Sequence, residues 1–210
     1  MAAGAPKVRV INMSLGINTG RVIPVFYDAV QFARRKGILV VASAGNTGTP
    51  AISPPANTPG VLAVGATGHY LNYEFVAHFS NYGPRLDLVA PGAGVPVTVP
   101  THPSQAGSRD GITSLSYAFA DGTSESAPYV SGVAALVFAK YDPTNASLGT
   151  IQDAATMVDK VRTHLIRAVD DFGTPGWDPS WGYGRLNAEK AVSSPTLLEA
   201  DPTETRKPIS

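Results

Sequence analysis

The chain has 210 residues, 43% of them hydrophobic and 15% charged, which is enough to bury a core in one domain and too apolar for disorder. Its formal net charge is zero with no basic stripe, so nucleic acid has no electrostatic footprint to bind. The absence of cysteine excludes a disulfide framework and a zinc thiolate site and leaves the redox compartment open, and no apolar run reaches the length of a membrane span.

Residues 7–15, with Val8, Val10, Ile11, Met13 and Leu15, read as a strand, and Gly16 to Gly20 as a polar loop. An amphipathic helix follows, with Val22, Val25, Phe26, Ala29 and Ala33 at helical spacing. Pro24 falls in its first turn, and Arg34, Arg35, Lys36 and then Gly37 mark its end. Ile38 to Ala42 is a continuous apolar run, the pattern of a strand covered on both faces in a parallel sheet. Together these pieces make a βαβ unit.

Ser43 to Gly48 is then a loop at the C-terminal end of that strand, the end at which open α/β sheets bind ligands. Val61 to Ala66 and Leu86 to Ala90 read as further strands. Val95 to Val99 and Leu115 to Phe119 read as a surface hairpin with a long loop through His102 to Gly111. The helix opened by Gly122-Thr123-Ser124 continues through Val133 to Phe138, apolar on every side, and is expected to be buried all round. Ile151 to Ala168 reads as another helix, and Asn187 as the cap of a short last one over Ala188 to Val192. The division expected is one domain over 1–192 and a polar tail or linker over 193–210.

Two loops carry candidate chemistry. Ser124 at a helix start lies beside unpaired backbone N–H groups and the positive end of the dipole, where an oxygen that becomes anionic is stabilised. A serine or threonine there commonly does no more than cap the helix, and an asparagine such as Asn46 at a strand end is commonly a turn former. Acyl transfer needs both a nucleophile and a donor aimed at the developing oxyanion, which an amide side chain can supply. Ala44-Gly45-Asn46 at a strand end, paired with Gly122-Thr123-Ser124 and Pro128 at a helix start, resembles the subtilisin-like serine peptidases.

That resemblance runs from about Lys7 to Val192, and its pieces stand in family order. Ser14-Leu15-Gly16 looks like the backbone that pairs with an extended substrate, and Ala44-Gly45 like the opposite wall. The second proline of Pro54-Pro55 falls where the family carries a cis-proline turn. Phe79 to Gly83, Asp87 to Gly92 and Gly182-Tyr183-Gly184-Arg185 continue the match. The resemblance implies a three-layer α/β/α fold with a mostly parallel sheet. It also implies a serine endopeptidase with Ser124 as nucleophile, Asn46 in the oxyanion hole, and Ser14, Leu15, Gly16, Ala44 and Gly45 binding substrate. Glu125 and Tyr129 replace the usual methionine and histidine at positions that do not carry the chemistry.

The family's catalytic aspartate and histidine are expected upstream, the histidine in a His-Gly-Thr context. None of His69, His78, His102 and His164 has that context, and each reads as a solvated imidazole, the first three in loops. The opening Met1 to Ala5 resembles the end of a helix cut in mid-course, so the chain reads as the C-terminal part of such a domain, with the flanking strands missing. In subtilisin, removing the histidine alone costs about 10⁶ in kcat, so the isolated chain is expected to be close to inactive. The first strand then becomes an uncovered apolar edge.

The alternative is a pseudopeptidase, a peptide-binding or regulatory module. A nucleotide-binding domain built on Gly92-Ala93-Gly94 lacks the helix and the acidic residue that it needs. By resemblance the partners are a polypeptide substrate and the missing N-terminal half. Neither nucleic acid nor a membrane is expected as a partner, and no cofactor for the chemistry. Structural calcium is expected around Pro54 to Thr67 with no readable ligand set. Secretion is expected, although Met1 to Pro6 lacks the charged and apolar parts of a signal peptide.

Overall fold

The computed structural model describes residues 8–99, 117–141 and 151–199. The start at Met1 to Ala5, the loop through His102 to Gly111 and the end of the chain past residue 199 lie outside the described residues. Its sheet is ordered β1 (Val10–Met13), β2 (Leu39–Ser43), β3 (Val61–Tyr70), β5 (Leu88–Pro91), β9 (Arg185–Leu186) and β8 (Val169–Asp170). β4 (Tyr73–Val76) pairs with β3 off that path, and β6 (Val95–Thr98) with β7 (Tyr117–Ala120) forms the expected hairpin. The helices are α1 (Pro24–Arg35), α2 (Thr123–Tyr141), α3 (Ile151–Arg167) and α4 (Ala188–Ser193).

β1, β2, β3, β5 and β9 run parallel, with Val10 opposite Leu39, Val40 opposite Val61, Val64 opposite Leu88 and Val89 opposite Arg185. Side chains alternate across such a strand, so β2 feeds two cores. Leu39 and Val41 join Leu62, Val64 and Leu88 against Val130, Ala134 and Val137 of α2. Val40 and Ala42 join Val61, Ala63 and Val89 against Val30 and Ala33 of α1. Every residue of β2 is therefore buried, which is why the strand shows no polar alternation. The result is the three-layer α/β/α architecture expected. Leu62 has no exposed surface, and its truncation to alanine is expected to cost about 2–5 kcal/mol.

α1 begins with Pro24 and closes with Arg34 and Arg35 before Gly37, which turns the chain at a φ of 76°. α3 is tied to the end of α1 by Arg34–Asp159 and to the residue ahead of β5 by Arg162–Asp87. Asp87 also accepts the Ala63 N–H at 2.8 Å. Asn187 caps α4 as expected, its side chain accepting from the Lys190 N–H.

Four expectations need correcting. α2 is not buried all round: Pro128, Tyr129, Gly132, Ala135, Leu136 and Ala139 form an exposed apolar stripe, because the sheet covers the opposite face and nothing described covers this one. His69 lies in β3 rather than in a loop, although it is exposed. His164 is fully buried: its Nε2 donates to the Ala191 carbonyl at 2.7 Å and its Nδ1 accepts the Leu198 N–H at 2.9 Å. The polar stretch placed outside the domain is attached over its first residues. Ser193 closes α4, and the Ser194 carbonyl accepts from Lys140 and Tyr141.

Candidate active site

The chain turns that matter all lie beyond the C-terminal ends of parallel strands, where neighbouring loops converge. Ser14 follows β1, Ala44 to Asn46 follow β2, and Gly92 follows β5. Gly92 accepts the Gly122 N–H through its carbonyl at 2.7 Å, just before α2 begins. Ser126 Oγ donates to the Ala90 carbonyl at 3.0 Å, fixing the first turn of α2 onto β5. A side chain at Gly92 would drive its Cβ to 2.2 Å from that hydroxyl, so the close approach requires glycine.

Pro128 has no N–H, so the Ser124 carbonyl four residues earlier has no helical donor. Ser14 Oγ fills the gap, donating to that carbonyl at 2.7 Å. Asn12 Nδ2 donates to Ser14 Oγ at 2.9 Å, and Ser131 Oγ donates to Asn12 Oδ1 at 3.0 Å. This relay clamps the end of β1 to the start of α2. The Ser124 hydroxyl is half-buried and donates to the Ser14 carbonyl at 3.4 Å. Among the described residues no imidazole or carboxylate hydrogen-bonds it.

Asn46 meets the same turn from β2. Its Oδ1 accepts the Thr123 N–H at 2.9 Å and the Thr123 hydroxyl at 2.7 Å. Both partners are donors, so the oxygen of the amide must face them. The Nδ2 of Asn46 is left on the open side, 3.2 Å from where a Cβ on Gly122 would stand. The Ser124 N–H lies in the same first turn, where a helix has no partner to offer.

Gly45 N–H donates to Thr123 Oγ1 at 3.1 Å, which joins the loop after β2 to the first turn of α2. Asn81 holds this loop from below. Its N–H donates to the Gly45 carbonyl at 2.9 Å, its Oδ1 accepts the Thr47 N–H at 2.9 Å, and its Nδ2 donates to the Ala51 carbonyl at 2.9 Å. Gly45 has φ of 109°, and a Cβ there would come within 2.3 Å of Asn81 Nδ2. Ser43 Oγ reaches the Leu15 carbonyl at 3.4 Å, which joins the segment after β1 to the end of β2.

Of the residues singled out, Ser14 is hydrogen-bonded to Ser124, Gly45 and Asn46 to the neighbouring Thr123, and Leu15 to Ser43, while Gly16 and Ala44 lie next to these in the chain. Thr123 and Asn81 stand inside motifs that the sequence offers, but the bonds that make them and Asn12 positioning residues, to Asn46, to Gly45 and to Ser131, are visible only in the structure. Pro54–Pro55 is cis. In the segment expected to touch calcium, Asn57 Oδ1 and Thr58 Oγ1 are buried without partners, two oxygens where calcium takes about six to eight. No group of three or more metal-ligating side chains forms among the described residues, so no ligand set is assigned. No described helix is long and apolar enough to cross a membrane.

Ser124 at a helix start and the Asn46 amide held by Thr123 thus stand close together beyond the ends of β1 and β2. The family described as the Subtilase family (Peptidase_S8) matches residues 2–184, and the chain belongs to it. It is 37% identical over 185 residues to an alkaline elastase of Bacillus sp. (strain YaB), covering 88% of this chain and 40% of that protein. It is 35% identical over 201 residues to a cell wall-associated protease of Bacillus subtilis (strain 168), covering 90% of this chain and 20% of that protein. The fold is similar to fervidolysin from Fervidobacterium pennivorans, a keratinolytic enzyme related to subtilisin. The TM-score is 0.70 and the identity 27%, over 90% of this chain and 27% of that one. The chain therefore spans less than half the length of each of these relatives.

Proposed function

We propose that this chain is the nucleophile-bearing part of a serine endopeptidase. Ser124 attacks the scissile carbonyl, and the developing oxyanion is met by Asn46 Nδ2 and the Ser124 N–H. The backbone of Ser14-Leu15-Gly16 and of Ala44-Gly45 pairs with the extended substrate on either side. The observation that supports this reading is the amide of Asn46, whose oxygen accepts from the Thr123 N–H and hydroxyl and whose nitrogen lies 3.2 Å from where a Cβ on Gly122 would stand.

The base and its orienting carboxylate come from an upstream half of the domain. Two exposed apolar surfaces support that assignment. The outer stripe of α2 includes Leu136, which is 57% exposed, and the edge of β1 that has no partner strand among the described residues is flanked by Val8 and Leu15. Water-exposed apolar surface of this extent beside such an edge is costly unless another segment covers it. Membership of a family with a cell wall-associated relative supports action outside the cytoplasm.

The test is labelling with a fluorophosphonate probe of the chain joined to an upstream half carrying Asp-Ser/Thr-Gly and His-Gly-Thr segments. A Ser124 adduct that disappears in Ser124→Ala is the expected outcome; no adduct in the joined protein sinks the reading. The second reading, a peptide-binding pseudopeptidase, leans on the Ser124 hydroxyl having only the Ser14 carbonyl as its hydrogen-bond partner among the described residues. It would show peptide binding to the 14–16 and 44–45 walls with no adduct.

A further inference from the structure

Ser131 stands seven residues after Ser124, two turns along α2 and on the same flank of the helix. Its hydroxyl lies within reach of two acceptors, Asn12 Oδ1 at 3.0 Å and the Ala127 carbonyl at 2.9 Å. A hydroxyl has one proton, so the two acceptors compete for it. The Ala127 carbonyl also receives the Ser131 backbone N–H in the helix ladder, four residues on. Asn12 Oδ1 has no other hydrogen-bond donor among the described residues. Asn12 is thus the acceptor that depends on this proton.

The direction of the whole chain of bonds follows from it. Ser14 Oγ gives its own proton to the Ser124 carbonyl at 2.7 Å, so its oxygen is left to accept, and Asn12 Nδ2 donates to it at 2.9 Å. An amide turns its nitrogen to one side only by turning its oxygen to the other. With Oδ1 held by Ser131, the Asn12 nitrogen faces Ser14. Reversed, the amide would offer its oxygen to Ser14 and its nitrogen to Ser131. Ser14 would then have two acceptors for one proton, the Asn12 oxygen and the Ser124 carbonyl. Any share of that proton taken by Asn12 is lost to the Ser124 carbonyl, for which Pro128 provides no helical donor.

We propose that Ser131 is a positioning residue for Ser124. Its hydroxyl fixes the Asn12 amide, and the amide commits the Ser14 proton to the Ser124 carbonyl. The turn that carries the Ser124 hydroxyl and N–H is held by that bond. The inference rests on the reading of Ser124 as a peptide nucleophile and adds to it a residue that touches neither substrate nor reacting atoms. Asn12 is exposed in the described chain, where water competes for its bonds. An upstream half that covers the open edge of β1 shields them, so the coupling is larger in the joined protein.

Three variants test it. Ser131→Ala removes the orienting donor, Asn12→Asp keeps the shape but only accepts, and Ser131→Thr keeps the hydroxyl. The first readout is the ¹³C shift of the Ser124 carbonyl in the isotopically labelled chain, which moves to lower frequency when the bond from Ser14 weakens. Such moves are expected in Ser131→Ala and Asn12→Asp, larger in the second, with little change in Ser131→Thr. Amide shifts that stay in place across the sheet report an intact fold. The second readout is the rate of fluorophosphonate labelling of the joined protein. It is expected to fall about three- to tenfold in Ser131→Ala and in Asn12→Asp, and to recover in Ser131→Thr. A carbonyl shift unmoved in both Ser131→Ala and Asn12→Asp overturns the proposal, as does an unchanged labelling rate in a variant whose carbonyl has moved. The two readings fail separately. Labelling that ignores Ser131 removes this inference alone. No adduct even in the unaltered joined protein removes the nucleophile, and with it any residue that positions it.

Discussion

Ser14 Oγ donates to the Ser124 carbonyl at 2.7 Å, occupying the acceptor that Pro128 leaves without a helical partner. A proline inside a helix usually costs about 3 kcal/mol through the lost bond and its clash with the preceding turn. Here the freed carbonyl is put to use, binding the end of β1 to the turn that carries Ser124. Ser14→Ala leaves that carbonyl and the Asn12 amide without their partner. The expected loss is about 1–2 kcal/mol of stability in urea unfolding, together with slower probe labelling of the joined protein. Ser14→Thr, which keeps the hydroxyl, should recover most of both.

Asn46 and Thr123 test the oxyanion assignment. Asn46→Ala removes the side-chain donor and is expected to lower kcat of the joined protein by roughly 10²–10³ with KM little changed. Thr123→Val keeps the shape but deletes the hydroxyl that fixes the amide orientation. A smaller loss, about tenfold, is expected there, because the Thr123 N–H still holds Asn46 Oδ1. A larger effect from Thr123→Val than from Asn46→Ala would contradict the arrangement.

Much of the layer structure was legible because buried parallel strands announce themselves. Ile38 to Ala42 and Val61 to Ala66 are apolar runs bounded by turn residues, and the structure covers both faces of the strands they form. The β3–β4 hairpin escaped because its turn uses Leu71 at φ 54° where glycine or asparagine would have signalled it. Its pairing is made by contact instead: Gly68 lies opposite Phe75, whose ring stands 2.7 Å from where a Cβ on Gly68 would be. The burial of His164 has no local sequence signal for a similar reason. A histidine in an amphipathic helix reads as polar, and only the approach of Ala191 and Leu198 turns it into a buried anchor. In the site, Ser124 and Asn46 sit in sequence motifs, and so does Asn81, but the bonds from Asn81 to Gly45 and from Ser131 to Asn12 span the fold and leave no local pattern.

Asn81 is a hub rather than a surface turn residue, with only 1% of its surface exposed. Asn81→Ala removes acceptors for Thr47 and donors for Ala51 while leaving those groups under the loop. The expected cost is about 2–4 kcal/mol, seen as a lower urea midpoint. Because Asn81 supports the Gly45–Asn46 turn, amide exchange in residues 45–49 should rise before that of β2. Uniform exchange across both would show that the loop is held by something else.

Asp170 sets an acid limit on the C-terminal hairpin. Burial alone would raise its pKa, but hydrogen bonds from Lys190, Arg185 and Asn187 hold the carboxyl well below the ordinary range. A folded-state pKa lower than the unfolded value of about 3.9 means that the contribution is fully present above that value. It is lost as pH falls from there toward the folded value. With its exposed side screened by water, the contribution is on the order of 1–2 kcal/mol. Asp170→Asn should therefore destabilise the chain at pH 7 by about that amount, and the gap to the unaltered chain should close below about pH 4. A gap that stays constant from pH 7 to pH 3 would assign the loss to packing rather than to charge.

The anchoring of residues 194–199 can be separated from the core at His164. Its Nε2–H is committed to the Ala191 carbonyl, which leaves Nδ1 unprotonated to accept the Leu198 N–H. His164→Phe keeps the ring in contact with Tyr141, whose centroid lies 5.5 Å away, but deletes both hydrogen bonds. The buried Ala191 carbonyl loses a partner, so about 1–3 kcal/mol should go from global stability. The Leu198 amide should become freely exchanging, and limited proteolysis should cut near 196–199 while the sheet stays intact. His164→Gln, which can offer a donor and an acceptor, should protect that segment better than His164→Phe does. If both variants leave Leu198 protected, the bonds from Lys140 and Tyr141 to Ser194 are sufficient to hold the strap.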